Sequence, residues 1–332
     1  MDIVRIPLYV LQHATKNFIR ERFTGSVGAS KNVHVGKIPH GNRVKSIVAK
    51  RLDRTLGDHV FYRELDILLK FKHKNIVNLE GYCDEEGEKI IVYESPLIGR
   101  LDWQLNENLI TWMKRLEICI DIATGLDFLH GSLLRRETVI HGDINSCKVQ
   151  LTKDLKAKIS DFGRAFISPT NQESIKHIIN DPAGEPLNCD QEYAETGVLT
   201  TKSDIYSFGV VLFEILCGRY VYSYPEDQPL TYIVKHLFEE GKLDKIVFEG
   251  IKGKIGPQSF DTFTRIAYQC IDDDREKRPT ASEVLVQLKK ALDFQVSSQN
   301  YKTLAFFNFL KLVSEAVEDM LIKDIFYKQK NL

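Results

Sequence analysis

The chain has 332 residues, 43% of them hydrophobic and 27% charged, which is the composition of an ordinary soluble globular protein. Its formal net charge of −1 at pH 7 argues against a partner that is bound through overall positive charge, such as nucleic acid or an anionic membrane surface. No apolar run is long enough to span a bilayer and the N-terminus has no signal-peptide pattern, so we expect a cytoplasmic protein.

In roughly the first 100 residues, two strand-like runs at 43–52 and 89–94 accompany one stretch with apolar residues at helical spacing, 60–69. This pattern predicts a small lobe rich in β-structure. From Leu109 onward, apolar residues recur every three or four positions, first around Trp112 and again around Phe208. That periodicity predicts a larger, mainly helical lobe, and the fold class is therefore predicted as α+β.

The least patterned stretch covers residues 167–190 and contains several turn-forming residues. A loop of this length inside a compact domain is usually functional. We therefore predict a functional loop at this position.

Charged residues of a recognisable set follow one another in a fixed order. Lys50 ends the strand 46–50 within the first strand-like run, and Glu64 lies on the helix after it. Asp143 and Asp161 belong to the motifs His141-Gly142-Asp143 and Asp161-Phe162-Gly163. This order resembles the signature set of the protein kinases. Residues 14–18 (ATKNF) and 202–212 (KSDIYSFGVVL) are similar to sequence segments of the plant receptor-like kinases. The chain resembles a cytoplasmic member of that family.

The resemblance covers roughly residues 12–293 and implies a two-lobed kinase fold, with a small β-rich N-lobe and a large helical C-lobe. It predicts an N-lobe at about 12–94, a hinge at about 95–99 and a C-lobe at about 100–293. Residues 1–11 would form an N-terminal segment, and residues 294–332 would form a C-terminal helical tail.

In this family, phosphoryl transfer depends on positioning and charge neutralisation, and the resemblance implies ATP and Mg²⁺ as cofactors. It implies that Lys50 holds the α and β phosphates and is fixed by an ion pair with Glu64. Asp161 would bind the metal. Asp143, at the position of the catalytic base, would orient the substrate hydroxyl and accept its proton.

The nucleotide site departs from the family pattern. Of three glycines expected in the phosphate-covering loop, only Gly28 is present, and glycine serves there because its missing Cβ lets the backbone approach the phosphates. Pro96 of the hinge has no N–H to donate to adenine, which loses one hydrogen bond worth about 0.5–1.5 kcal/mol. Two apolar residues that sandwich adenine are replaced by Val48 and Gln150. The residues assigned to ATP by the resemblance are Lys50, Glu64, Gly28, Val33, Val48, Glu94, Pro96 and Gln150.

The catalytic loop that the resemblance implies, residues 141–148, departs further from the family pattern. Lys148 stands where the family has an asparagine that ligates a second Mg²⁺, and at an effective dielectric constant of 20 two like unit charges 4 Å apart repel by about 4 kcal/mol. Asn145 replaces a lysine that contacts the transferred phosphoryl group, and the loss of such a donor costs about 2.7–4 kcal/mol. Gly142 replaces an arginine that binds a phosphorylated activation segment.

An alternative stays open for the lysine that is missing at Asn145. Lys148 would then supply the function of that lysine itself.

Residues that hold a kinase fold together are kept. Glu192 and Arg278 match a C-lobe ion pair that is predicted to be buried. A stack of side chains that links the two lobes, with Asp204 as its anchor, is matched by Leu68, Leu79, Phe162 and His141. We therefore expect intact architecture with eroded chemistry.

The C-terminal tail has an amphipathic helical pattern from Leu304 to Phe326. Two interpretations stay open for it. One is a helix packed on its own C-lobe, and the other is a helix that docks a partner or forms oligomers.

Three functions stay open, and the substitutions at Asn145 and Lys148 favour the first. It is a pseudokinase that acts by binding other signalling proteins or kinases, either in the cytoplasm or held at the plasma membrane through a partner. The second is an active or slow Ser/Thr kinase that uses Lys50, Asp143 and Asp161. The third is a nucleotide-binding switch without turnover.

Overall fold

The computed structural model describes most of the chain. Gly28, Pro96 and the predicted tail helix Leu304 to Phe326 lie outside the described residues. The described ranges are 4–19, 33–41, 43–53, 58–94, 97–108, 110–131, 137–169, 174–176, 189–223 and 228–301.

The N-terminal part of the described chain is built on a five-stranded sheet with the strand order β1-β4-β5-β3-β2. Strand β1 runs parallel to β4, and the other neighbouring strands are antiparallel. Two helices, α1 and α2, belong to this lobe. The elements are β1 (Val4–Arg5), α1 (Leu8–Ala14), β2 (Val33–His40), β3 (Arg43–Arg51), α2 (Asp58–Lys70), β4 (Leu79–Glu85) and β5 (Glu88–Glu94).

The remaining described residues form the helical lobe with several short strand pairs. Strand β8 lies between β6 and β9, β7 pairs with β10, and β11 pairs with β12. The elements are β6 (Leu97–Arg100), α3 (Trp112–His130), β7 (Glu137–Ile140), β8 (Val149–Thr152), β9 (Ala157–Ile159), β10 (Phe166–Pro169), β11 (Ser174–Lys176), α4 (Gln191–Thr196), β12 (Val198–Thr200), α5 (Thr201–Cys217), α6 (Leu230–Glu239), α7 (Pro257–Cys270) and α8 (281–301).

This architecture confirms the predicted two-lobed α+β fold. Strands β3 and β5 and helix α2 form where the sequence pattern predicted them. Of the loop predicted at residues 167–190, positions 170–173 and 177–188 lie outside the described residues. The described part differs from the prediction, because it contains β11 and most of β10. These strands are too short to show a period, and antiparallel pairing with β7 and β12 defines them. The predicted boundaries at residues 11 and 293 fall inside α1 and α8.

The N-terminal segment, residues 4–18, is part of the N-lobe core. Its apolar side chains form a separate cluster with the outer face of the sheet. The Ile6 N–H donates to the Tyr82 carbonyl at 2.8 Å, and the Leu8 N–H donates to the Glu85 carboxylate at 2.9 Å. The buried members of the cluster are Ile6, Leu8, Leu11, Ile47, Ala49, Cys83, Ile90 and Val92.

Two glycines of the sheet allow this segment to pack closely against it. A Cβ at Gly81 would lie 2.5 Å from the Val4 carbonyl oxygen, and a Cβ at Gly36 would lie 2.8 Å from the Ala14 carbonyl oxygen. Both distances are too short for a side chain without displacement of the facing backbone. Glycine at these positions therefore lets β1 and the end of α1 approach the sheet.

The C-lobe ion pair differs from its prediction. Arg278 was expected to pair with Glu192, but its Nη1 lies 3.4 Å from Asp190 Oδ2, while Arg275 binds Glu192 at 3.0 Å and Asp190 at 2.8 Å. Asp190 accepts a hydrogen bond from the Tyr193 N–H at the start of α4, which turns its carboxylate inward. The Glu192 side chain lies on the first turn of α4 and is 50% exposed. The buried carboxylate of this cluster is therefore Asp190.

We predict that Gly81→Ala displaces β1 from the sheet. The added Cβ overlaps with the Val4 carbonyl, and overpacking of this kind typically costs about 1–3 kcal/mol. Hydrogen exchange should show faster exchange of the Ile6 amide, whose acceptor is Tyr82, while amides of α5 keep their relative protection. An Ile6 amide that exchanges at the parent rate would contradict this role of Gly81.

A second prediction compares Asp190→Asn with the matched variant Glu192→Gln. The first removes the buried charge between Arg275 and Arg278 and should lower the free energy of unfolding by about 3–5 kcal/mol. The second removes a half-exposed charge and should cost about 1 kcal/mol or less. Urea denaturation measures both values, and equal losses would refute the assignment of Asp190 as the central carboxylate.

Candidate nucleotide and catalytic site

The site begins with an ion pair between strand β3 and helix α2. Lys50 lies near the end of β3, and its Nζ is 2.7 Å from Glu64 Oε2. The Glu64 side chain is fully buried, on the face of α2 that packs against the sheet and the C-lobe. Lys50 Nζ also contacts Asp161 Oδ1, so this ammonium joins carboxylates from two parts of the chain.

Asp161 follows β9 and has left-handed backbone angles, with φ 71° and ψ 63°. Such angles are uncommon for a residue other than glycine, and they turn the chain into the 3-10 turn Phe162–Arg164. The side chain thereby faces Lys50 with one oxygen and Lys148 with the other. Lys148 Nζ lies 2.5 Å from Asp161 Oδ2, and it also lies 3.6 Å from Asp143 Oδ2.

Asn145 has a local structural role in addition to its place in the catalytic loop. Its Oδ1 accepts a hydrogen bond from the Cys147 N–H at 3.0 Å and caps the 3-10 turn Ser146–Lys148. Its Nδ2 donates to Asp143 Oδ1 at 3.1 Å. Asn145 therefore orients the Asp143 carboxylate and starts the turn that ends at Lys148.

The charged groups of this cluster shift one another's pKa values. Burial alone would raise the pKa of the Asp161 carboxyl, but Lys148 and Lys50 outweigh burial and hold that pKa well below its usual range. Burial alone would lower the pKa of the Lys50 ammonium, but Asp161 and Glu64 outweigh burial and the nearby Lys148, and they raise that pKa. Lys50 and Asp161 are thus both ionised at neutral pH.

Tyr93 is a member of this site that the sequence interpretation missed. Its hydroxyl donates to Glu64 Oε1, so Glu64 is held by Lys50 on one oxygen and by Tyr93 on the other. Burial raises the pKa of the Tyr93 phenol well above its ordinary value, and the nearby Glu64 and Asp161 raise it further. One feature of the sequence could have indicated this role, namely a tyrosine in a strand predicted to be buried. A buried tyrosine usually has a hydrogen-bond partner for its hydroxyl.

Residues assigned to the adenine side are spread over four strands. Val33 begins β2, Val48 is buried in β3, and Gln150 lies in β8, where its Nε2 is 3.5 Å from Ser160 Oγ. Glu94 ends β5, and its carboxylate accepts a hydrogen bond from Asn78 Nδ2 at 2.7 Å. The Gln150 side chain thus has Ser160 as a polar partner, at the long limit of a hydrogen bond.

Asp204 anchors the catalytic loop as predicted. Its two oxygens accept hydrogen bonds from the N–H groups of His141 and Gly142, both at 2.8 Å. The His141 ring packs against Phe162 with 4.9 Å between ring centroids. Gly142 has a φ of 73°, and a Cβ there would lie 3.0 Å from Leu199 and 3.1 Å from the Arg164 carbonyl oxygen. The arginine usual at this position would therefore be strained in this loop.

The described residues do not fit a divalent metal in the arrangement that the family uses. Both oxygens of Asp161 already contact ammonium groups, and Lys148 brings a positive charge where a ligand oxygen is expected. At an effective dielectric constant of 20, two unit charges 4 Å apart repel by about 4 kcal/mol, and a divalent ion doubles this energy. Among the described residues, no group of three or more His, Cys, Asp or Glu side chains has a metal-binding arrangement.

No helix in the part of the chain that the structure describes combines the length and the apolar character that a membrane crossing requires.

Comparison of the sequence with known proteins shows the family to which the chain is similar. The family model "Protein tyrosine and serine/threonine kinase" matches residues 24–288. The chain is 36% identical to the receptor-like protein kinase FERONIA of Arabidopsis thaliana over 295 residues, which are 87% of this chain and 32% of FERONIA. It is 34% identical to HERK 1 and 35% identical to ANXUR2 of the same plant, each over 297 residues, 88% of this chain and 35% and 34% of those receptor-like protein kinases. The chain thus spans about a third of these relatives.

We predict that Asp161→Asn lowers the free energy of unfolding at pH 7 by about 2 kcal/mol, because it leaves two ammonium groups without their shared counterion. The loss is smaller than for a fully buried pair because the side chain is 23% exposed. The folded pKa of Asp161 lies below its unfolded value of about 3.9, so the stabilisation is complete above that value and declines as the pH falls further.

Urea denaturation between pH 3.5 and 7 tests this prediction. The difference in the free energy of unfolding between the parent and Asp161→Asn should be constant above about pH 5 and should become smaller below about pH 4. Asp273→Asn is the control, because this carboxylate is 81% exposed and pairs only at the surface. A variant as stable as the parent at pH 7 would contradict the proposed charge cluster.

Proposed function

Because the chain belongs to the protein tyrosine and serine/threonine kinase family, we propose that it is a pseudokinase of the plant receptor-like type. In this proposal it transfers phosphate slowly or not at all, and it acts in signalling by binding other signalling proteins or kinases. The family uses ATP and Mg²⁺, but the binding of partners that we propose needs neither of them.

The observation that carries the proposal is the contact of Lys148 with Asp161. The residue expected to bind the metal is bound instead by an ammonium 2.5 Å from its Oδ2. Asn145 adds to this, because its amide is engaged with Asp143 and Cys147 and carries no charge toward a phosphoryl group. Loss of one preorganised donor to the transferred group typically costs about a hundredfold to a thousandfold in rate.

Regulation through a phosphorylated activation segment also has little support in this chain. An arginine in the catalytic loop normally binds the added phosphate. Here the position is Gly142, with a left-handed backbone and close contacts to Leu199 and Arg164. The proposed signalling role therefore rests on interactions rather than on switching by that phosphate.

Partners and location are proposed more broadly. The curated relatives are named as receptor-like protein kinases, and this chain spans about a third of their length. We infer that its partners are kinases or other signalling proteins, met in the cytoplasm or at the plasma membrane. The predicted tail helix Leu304 to Phe326 is one candidate docking segment.

An active or slow Ser/Thr kinase is the second candidate function, and one distance favours it. Lys148 Nζ lies 3.6 Å from Asp143 Oδ2, so the same ammonium faces the position at which a substrate hydroxyl would be activated. In that case Lys148 would replace the lysine missing at residue 145. A nucleotide-binding switch without turnover remains the third candidate.

We predict that the double variant Asn145→Lys with Lys148→Asn gains phosphoryl-transfer activity. It moves the ammonium to the family position and returns an amide oxygen to the metal position. The rate of phosphate transfer to itself or to a general protein substrate should rise at least about a hundredfold, in keeping with one restored electrostatic contact. Transfer of labelled phosphate from ATP measures the rate, and neither single substitution should suffice.

The control is Asp143→Asn in the double variant, which should remove the gained activity by removing the base. A parent protein that already turns over at about 1 per second or faster would overturn the pseudokinase proposal, because this is an ordinary kinase rate. Gain of activity in Lys148→Asn alone would show that the Asn145 substitution does not limit the reaction.

A further inference from the structure

Both oxygens of the Asp161 carboxylate have a cationic partner, Lys50 on Oδ1 and Lys148 on Oδ2. Each of these lysines has a second carboxylate, since Lys50 is 2.7 Å from Glu64 and Lys148 is 3.6 Å from Asp143. We propose that Lys148 is the resident cation of this cleft. Its ammonium takes the position of the divalent metal on Asp161 and completes a charged chain that runs from Glu64 through Lys50, Asp161 and Lys148 to Asp143.

A tethered ammonium has an advantage over a free metal ion. Lys148 is held at the site by the turn Ser146–Lys148, so its contact with Asp161 is intramolecular and has a high effective concentration. Its side chain is only 15% exposed, which limits screening by water and salt. A metal ion would have to displace this ammonium from Oδ2 and remain beside the Lys50 ammonium on Oδ1. Lys148 therefore excludes the metal and makes it unnecessary for charge balance.

The charged chain also joins the two lobes. Lys50 and Glu64 belong to the N-lobe elements β3 and α2, and the other three members belong to the catalytic loop and the segment after β9. Helix α2 lies directly against that segment, because a Cβ at Gly163 would be 2.7 Å from Val60 Cγ1 and Arg63 Nη1 donates to the Gly163 carbonyl at 3.2 Å. The two lobes are therefore joined here by the protein's own side chains.

This inference rests on the proposed function, since a domain that acts by binding partners needs a fixed shape and no turnover. It adds a specific role for Lys148, which is to replace the divalent cation as the counterion of Asp161. The two proposals are tested by different readouts. Phosphate transfer tests the function, and metal-dependent stability tests the role of Lys148.

The experiment measures thermal unfolding of the full chain at a fixed ATP concentration, once with excess EDTA and once with millimolar Mg²⁺. The parent should melt at the same temperature in both. Lys148→Asn should melt lower than the parent in EDTA, because Asp161 has lost one counterion. Mg²⁺ should raise its melting temperature by about 3–5 °C once the site is well occupied, since the new amide oxygen and the freed Oδ2 accept the metal.

Two further variants separate this role from general damage. Lys148→Met also removes the charge but offers no oxygen ligand, so it should melt lower in EDTA and should gain nothing from Mg²⁺. Lys156→Asn makes the same substitution at a side chain that is 54% exposed and paired with Glu117 at the surface. It should behave like the parent under both conditions.

Hydrogen exchange gives a second measurement of the closed cleft. In EDTA, Lys148→Asn should exchange faster than the parent in α2 and in residues 161–165, with α5 unchanged, and Mg²⁺ should reverse this difference. Stabilisation of the parent by Mg²⁺ would overturn the proposal, and so would a folded Lys148→Asn that is indifferent to Mg²⁺. If Lys148→Asn does not fold, the parent titration decides the proposal alone. If one of these two results overturns the role of Lys148 while the parent shows no phosphate transfer, the pseudokinase proposal still holds.

Discussion

The Asp161 carboxylate contacts one ammonium through each of its oxygens, and the geometry of the cleft follows from these contacts. A partly buried charge is stable only with counterions and hydrogen bonds that replace water. Lys50 on β3 and Lys148 at the end of the catalytic loop provide them, and Glu64 holds Lys50 in turn. The positions of β3, α2 and the catalytic loop are thus tied to a single side chain. Its left-handed backbone is tolerated because the surrounding contacts fix it.

Much of this fold was predictable from the sequence, because hydrophobic periodicity reports which face of an element is buried. Strands β3 and β5 and helix α2 formed as predicted. Which side chains pair was harder to predict, because pairing depends on where each side chain points. Glu192 was expected to meet Arg278, but capping of α4 turns Asp190 inward and leaves Glu192 at the surface.

The candidate site shows the same limit at closer range. The resemblance of Lys50, Glu64 and Asp161 to the signature set of the protein kinases was enough to predict that they belong to one cleft. The resemblance indicated only that a metal ligand is missing at Lys148. That Lys148 binds Asp161 itself became visible from the position of the 3-10 turn before β8. Tyr93 was missed for a related reason. A residue in a continuous apolar strand gives no sign of its partner until the sheet is placed against α2.

The N-terminal segment has a consequence for how other proteins contact this lobe. An exposed strand edge is a template for strand addition by another chain. The outer edge of β4 is not open in this way, because the Tyr82 carbonyl accepts from the Ile6 N–H and the Asp84 carbonyl accepts from the Arg5 guanidinium at 2.5 Å. A partner that approaches this edge cannot extend the sheet through these groups. It meets β1 instead, whose two residues leave only a short edge for backbone pairing, so recognition of side chains carries most of the specificity there.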